Sequence, residues 1–201
     1  MFVKRIFDII ASSLGLLFLL PVFIVTAFIL IISNSWPIMF YQNRIGLNMK
    51  PFLIYKFRTM RLNKSKVSIT LKNDVRITSF GKFLRKSKID ELPQLINILK
   101  GEMSVVGPRP DVPEYSLKLK GEDQIIFNMK PGLTGADSVY YPDEEKLLEK
   151  KDNPIEYYNK VIWPHKVSIN RNYINHWSFW LDIKIIIHTI IGRKLNDSRF
   201  N

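Results

Sequence analysis

A mainly helical α+β fold seated on a membrane is what the sequence predicts, and three observations carry it. Residues 9–32 form an uncharged apolar run with a proline near its middle. Two β-prone segments joined by a turn come next, and the remainder reads as helices, several of them basic and amphipathic. At 201 residues the chain is long enough for one domain with a real core. We assign residues 1–35 to a re-entrant membrane helix hairpin and 36–201 to one integrated domain at the membrane face.

The run Ile9–Ile32 would reach about 36 Å as a straight helix, against a hydrocarbon core of about 30 Å. Pro21 lies close to its midpoint. Inside a helix a proline removes a hydrogen bond and clashes with the preceding turn, at about 3 kcal/mol. Pro21 is therefore the expected break, leaving two halves that each match about one leaflet. Lys4 and Arg5 precede the run, and seven basic residues between Arg44 and Lys66 follow it with no acid from Ser33 to Asn73. Both ends then carry the charge of a cytoplasmic flank. A re-entrant hairpin satisfies both observations; a kinked spanning helix is the alternative.

Residues 38–46 and 52–60 are β-prone, and Asn48–Pro51 between them predicts a small β-hairpin. Lys56 and Arg58 share one face of the second strand. They read either as a phosphate-binding pair or as charges guarding a sheet edge. A polar loop is expected over 61–73. Asp74–Lys88 follows as a basic amphipathic helix suited to anionic lipid, with Arg85 on it. Helices are further expected over Asp143–Lys151 and over Ile155–Asn175, the latter interrupted near Pro164. Trp177–Ile191 reads as an interfacial or a core helix, and the tail from Asn196 as frayed.

The net charge of +12 calls for an anionic partner: nucleic acid, anionic lipid or a phosphate-rich substrate. With no cysteine, a disulfide framework and Cys-ligated zinc are excluded, and the three histidines show no ligand spacing. Chemistry concentrates in residues 87–110. Asp90-Glu91 opens a short apolar segment ending at Gly101, with Asp90 as expected N-cap and Leu92, Leu95, Ile96 and Leu99 as expected buried stripe. Carboxylates at the positive end of a helix dipole should stay ionised, as a nucleophile or magnesium ligand requires. Taken alone, the pair reads as a cap and a complement to the dipole; the company of Gly107–Pro110, Lys56 and Arg58, and the basic run before Asp90 favours chemistry. Arg109, stiffened between Pro108 and Pro110, presents a guanidinium that binds phosphate oxygens bidentately. Pro131–Gly135 adds a rigid turn with the hydroxyl of Thr134, a weak signal by itself.

Taken in order, these pieces resemble the small monotopic phosphoglycosyl transferases of the bacterial sugar transferase family. The matching motifs are Lys4-Arg5-x-x-Asp8, Pro21, Gln42-x-Arg44-x-Gly46, Lys56-Phe57-Arg58-Thr59-Met60 and Asp90-Glu91-Leu92-Pro93-Gln94. Gly107-Pro108-Arg109-Pro110, Lys130–Gly135, Tyr157-Tyr158 and Ser178-Phe179-Trp180-x-Asp182 continue the series to the C-terminal region. The resemblance implies magnesium-dependent transfer of a phosphosugar from a UDP-sugar to undecaprenyl phosphate with release of UMP. The place implied is the cytoplasmic face of the bacterial inner membrane, and the implied product starts capsule, exopolysaccharide, O-antigen or glycoprotein glycans. Asp90 would be the nucleophile, forming a covalent acyl-phosphate, and Glu91 would assist at the metal or as a base. Arg109, Lys56, Arg58, Arg85 and Thr134 would bind substrate. Anionic lipids are expected partners, nucleic acid is not, and the reading leaves room for a homodimer.

Three departures stand beside the resemblance. Leu20-Pro21 replaces the family's usual Ser-Pro, so Ser12, Ser13 or Thr26 would have to satisfy the freed carbonyl. The segment after Gly135 reads Ala-Asp-Ser-Val-Tyr-Tyr-Pro-Asp and inherits no sugar-recognition role. The chain also reads as the minimal form, without the extra N-terminal membrane bundle of larger relatives. Two rival classes remain. A tethered nucleic-acid binder would use the charge but has no recognition motif, and a scaffold for other glycan enzymes would not need the dyad.

Overall fold

The computed structural model describes residues 1–33, 36–61 and 76–200. Helices α1 (Phe2–Phe18) and α2 (Leu20–Ile32) meet at Leu19 with a bend of 57°. The break thus falls two residues before Pro21, where the sequence places it. Pro21 sits in the first turn of α2, where its missing N–H would have had no helical partner anyway. Its ring excludes the continuation of α1, so the discontinuity moves upstream. Ser12 does not compensate at the break: its Oγ donates to Asp8 O at 2.6 Å within its own helix. No single helix among the described residues is long and apolar enough to cross a membrane, whereas this bent pair together has that length and composition.

Helix α1 is patterned inside out. Lys4, Asp8 and Ser12, one turn apart, are buried against the rest of the protein. Phe2, Val3, Ile6, Ile10, Leu14, Leu17 and Phe18 are exposed. Each buried polar group is satisfied, as burial requires. Lys4 Nζ donates to Asp182 Oδ2 at 2.5 Å, and Asp182 also accepts from Tyr173 Oη (2.5 Å) and Trp177 Nε1 (3.1 Å). Asp8 Oδ1 accepts from Ser104 Oγ at 3.0 Å and Val105 N at 2.8 Å. The membrane-like helix is therefore fastened to the domain by polar bonds, and its apolar face is left outward.

The hairpin pairs β1 (Met39–Ile45) with β2 (Pro51–Phe57), in register from Met39↔Phe57 to Ile45↔Pro51. Asn48 and Met49 turn the chain at φ of 54° and 58°. Most of the polar loop expected over 61–73 lies outside the described residues. Helix α3 (Ser79–Lys86) is capped by Thr78, whose Oγ1 accepts from Gly81 N at 2.9 Å. A 3-10 turn, Ile89–Glu91, then leads into α4 (Gln94–Lys100), closed by Gly101 at φ 83°.

The buried stripe of α4 differs from the one expected. Leu95 and Ile98 are buried, while Leu92, Ile96 and Leu99 are only partly so. Asn97 sets the rotation: its Oδ1 accepts from Tyr55 N (3.1 Å) and its Nδ2 donates to Leu53 O (2.7 Å), tying α4 to the open side of β2.

Strand β3 (Ser104–Val106) precedes α5 (Pro113–Ser116) and a 3-10 segment (Gly121–Asn128); β4 (Gly132–Thr134) then pairs with β3 in parallel. Their ends approach too closely for side chains. A Cβ on Gly107 would lie 2.3 Å from Lys130 O, and one on Gly135 would lie 2.2 Å from Gly107 O. Next come α6 (Ala136–Tyr140), α7 (Glu144–Glu149) and α8 (Pro154–Tyr157), which runs through a π-helical turn (Tyr158–Ile162) into α9 (Trp163–Asn175). The interruption expected near Pro164 is that π turn, with Pro164 in the first turn of α9.

Helix α10 (Phe179–Ile191) combines its two expected readings. Leu181 and Ile185 enter the main core with Val106, Val139, Ile169 and Tyr173, while Trp180 and Ile190 stay about four-fifths exposed (78 and 80 %). The tail is not frayed. Leu195 and Phe200 are buried in that core, and Asp197 pairs with Lys184 at 3.0 Å.

Candidate active site

The dyad is presented by a sharp turn between α3 and α4. Lys88 adopts φ 59°, a left-handed conformation that costs a lysine about 1–2 kcal/mol. That kink throws Asp90 and Glu91 into the 3-10 turn rather than onto a helix cap. Asp90 is thus not the N-cap; Pro93 occupies that position and no side chain caps α4. Both acids are 8 % exposed.

Their environments differ sharply. Glu91 Oε1 accepts from Lys56 Nζ and from Arg109 Nη2, each at 2.7 Å. Burial pushes Glu91 up, but Arg109 and Lys56 together overcome it and hold the carboxyl well below the usual range. Asp90 is shifted the other way, raised first by burial and then by the charge of Glu91, with Lys56, Arg85 and Lys88 opposing. Burial and the neighbouring acid thus act on Asp90 against the helix-end effect that the sequence suggests for both acids. Asp90 Oδ1 is buried without a hydrogen bond. One acid is therefore clamped as an anion and its neighbour is left desolvated with a free oxygen.

Three elements converge here. Strand β2 delivers Lys56, the turn delivers the dyad, and the loop after β3 delivers Arg109. Arg44 holds that loop against the hairpin: its Nη1 donates to Pro110 O (2.9 Å) and its Nη2 to Gln42 Oε1 (2.7 Å). Burial and the nearby Arg109 lower Arg44 to about 10. Behind the loop, Asp111 accepts from Trp163 Nε1 at 3.2 Å.

Two candidates point elsewhere. Arg58 lies just past the end of β2, and its guanidinium donates to Pro37 O (2.6 Å) and Met39 O (3.3 Å), bracing the entry to β1. Thr134 Oγ1 is 2.7 Å from Thr189 Oγ1 on α10. Arg85, on α3, stands near enough to Asp90 to influence it electrostatically. The sequence reading missed Arg44 and Lys88 as parts of the site. The Gln42-x-Arg44 spacing, which puts both side chains on one strand face, was the available signal for Arg44; nothing marked Lys88.

The donor set suits a hard divalent cation. Magnesium is commonly held by one or two carboxylates plus substrate phosphates, and Asp90 and Glu91 offer that pair, with Asp90 Oδ1 unengaged. No larger group of acids and histidines converges among the described residues.

A buried carboxylate pair framed by lysine and arginine, in a chain whose N-terminal helix pair turns apolar residues outward, defines a site suited to phosphate chemistry. The chain belongs to the bacterial sugar transferase family, whose pattern it matches over residues 1–193. It is 38 % identical over 203 residues to a UDP-glucose:undecaprenyl-phosphate glucose-1-phosphate transferase of Klebsiella pneumoniae, covering 98 % of this chain and 41 % of that protein. Similarity extends to an uncharacterized sugar transferase, EpsL, of Bacillus subtilis (37 %, covering 94 % of this chain and 86 % of the relative). A UDP-N-acetylgalactosamine-undecaprenyl-phosphate N-acetylgalactosaminephosphotransferase of Aeromonas hydrophila is 34 % identical, covering 94 % and 43 %. The chain thus spans about two-fifths of the length of the Klebsiella and Aeromonas relatives.

Proposed function

We propose that this protein transfers a phosphosugar from a UDP-sugar to undecaprenyl phosphate at the cytoplasmic face of the bacterial inner membrane, releasing UMP. The observation that carries the reading is the divided dyad, with Glu91 locked to Lys56 and Arg109 and Asp90 buried with an unpartnered oxygen. An Asp90 oxygen attacks the sugar-bearing phosphorus, and the bond from that phosphorus to the bridging oxygen breaks, so UMP departs with the bridging oxygen. A phosphate oxygen of the polyprenyl acceptor then attacks the aspartyl-phosphosugar, and the Asp90 carboxylate leaves. Arg109 and Lys56 neutralise phosphate charge during both displacements, and Glu91 fixes their positions. Asp90 and Glu91 would hold magnesium, which when bound supplies further charge neutralisation at the diphosphate. Names of the relatives support the two substrates. Outward apolar residues on α1 and α2 support a re-entrant seat in the bilayer, where the lipid acceptor resides.

The test is direct. Asp90→Asn should abolish UMP release from UDP-sugar with undecaprenyl phosphate, and wild-type protein quenched with labelled donor should carry the label on Asp90. Turnover by Asp90→Asn at the wild-type rate would remove the nucleophile.

A further inference from the structure

Helix α1 carries two charged side chains that the reaction above does not use, and each reaches a different segment of the site. Arg5 donates through Nη1 to Ile98 O at 2.6 Å and through Nη2 to Leu99 O at 2.8 Å. Both carbonyls lie in the last turn of α4, where regular helical donors run out and the dipole favours a cation. Asp8, buried one turn further along α1, accepts from Val105 N at 2.8 Å and Ser104 Oγ at 3.0 Å. Ser104 N donates to Pro131 O on the β4 side, at 2.9 Å. Val105 N therefore points to the open edge of this two-stranded sheet, and Asp8 covers it. Apolar packing joins the two grips. Leu16 and Leu19 lie against Ile54, Leu95, Ile98 and Met103, and a Cβ on Gly15 would come within 3.1 Å of Leu95 Cδ1.

The gripped segments are the two that must meet at the site. Helix α4 follows directly on the turn that holds Asp90 and Glu91, and Val105 stands four residues before Arg109. Glu91 and Arg109 meet at 2.7 Å although they come from different elements. Between α4 and β3 the chain has only residues 101–103, and no side chain caps the start of α4. A helix is stiff along its axis, so a restraint on its last carbonyls also fixes where its first turn stands. We infer that Arg5 and Asp8 are positioning residues for the transfer, holding the dyad turn and the Arg109 loop at a fixed spacing from within α1. This inference rests on the phosphosugar-transfer reading. Displacing a catalytic group by about 1 Å can cost about 100-fold in rate even when the cause is remote. Helix α1 is then part of the catalytic frame as well as a lipid-facing element.

The experiment measures UMP release and, without divalent metal, UDP affinity for full-length protein in detergent, with thermal melting as the check on folding. Arg5→Ala acts on the dyad side and should lower kcat at least about tenfold, with UDP affinity within about twofold. Asp8→Ala acts on the Arg109 side and should lower kcat by a similar factor and weaken UDP binding at least about threefold. That loss of UDP affinity should vanish in an Arg109→Lys background, because the residue being positioned is already altered. Asp8→Asn keeps the acceptor oxygen and should recover most of both quantities. If the alanine variants fail to fold, Arg5→Lys decides: one nitrogen replaces two, so kcat should fall at least about threefold at unchanged UDP affinity. Wild-type kcat in the folded variants would overturn the inference. An equal loss of UDP affinity from Asp8→Ala with and without Arg109→Lys would make Asp8 a general support of the fold and overturn it too. If wild type releases UMP from no UDP-sugar, the parent reading fails and the inference with it; that result is distinct from a slowed variant of a working enzyme.

Discussion

Charged residues around the dyad do different jobs that identical chemistry would not reveal. Lys56 and Arg109 share one oxygen of Glu91, Arg44 grips the carbonyl of Pro110, and Arg58 grips those of Pro37 and Met39. Asp111 illustrates the energetic side. Burial raises its pKa, against the opposing charge of Lys166 and the bond from Trp163 Nε1. The sign follows from proton linkage. An unfolded aspartate titrates near about 3.9; with the folded value above that, the native state binds the extra proton, and this contribution to stability grows as pH falls through the folded pKa. It is smallest at neutral pH, where the buried anion is present. Asp111→Asn should therefore gain melting temperature relative to wild type as the pH rises from about 4, the unfolded value, to 8, as read by thermal denaturation in detergent. A relative loss over that interval would mean that the anion is net stabilising.

Among the elements, α4 packs Leu95 and Ile98 against Ile54 and Phe52 of the hairpin, and one buried amide fixes how it sits there. Asn97 is fully buried and satisfies the N–H of Tyr55, the carbonyl of Leu53 and the carboxylate of Glu102. Asn97→Ala would strand two backbone groups at about 1–3 kcal/mol each, so a loss of about 3 kcal/mol is expected in urea denaturation of the detergent-solubilised protein. A loss under about 1 kcal/mol would show that water replaces the amide. This bracket also explains what could be read in advance and what could not. The hairpin was legible because its alternation and its Asn48 turn are local signals. The face that α4 buries was not, because a polar residue from one element and strand edges from another decide it. Strands β3 and β4, three residues each and rich in glycine at their ends, carry no periodicity to read. The dyad was legible as a motif, whereas the opposite shifts of its two acids depend on Lys56 and Arg109 arriving from elsewhere in the chain.

For the whole molecule, the decisive question is how the bent helix pair lies in the bilayer. Helix α1 spans about 25 Å and α2 about 20 Å at 1.5 Å per residue, each short of the roughly 30 Å hydrocarbon core. With a 57° bend between them, the pair fits either a broken span or a re-entrant hairpin by length and composition. Buried polar groups on α1 oppose a free spanning helix further, since Lys4 and Asp8 are bonded to Asp182 and to β3 in the domain itself. If α1 crossed the membrane, either those bonds would break, leaving charges unpaired, or the domain would have to follow Lys4 to the other side. Re-entry keeps every bond and puts both ends of the pair on one face. The chain has no cysteine, so single reporters can be introduced cleanly. Val3→Cys, at an exposed position before the bend, and Lys50→Cys, at the hairpin turn, should both resist a membrane-impermeant maleimide in intact cells and both react once the inner membrane is opened. Leu20→Cys, at the bend, should stay protected in either case. External labelling of Val3→Cys with Lys50→Cys still protected would establish a spanning helix, and it would separate Lys4 from Asp182 by the width of the bilayer.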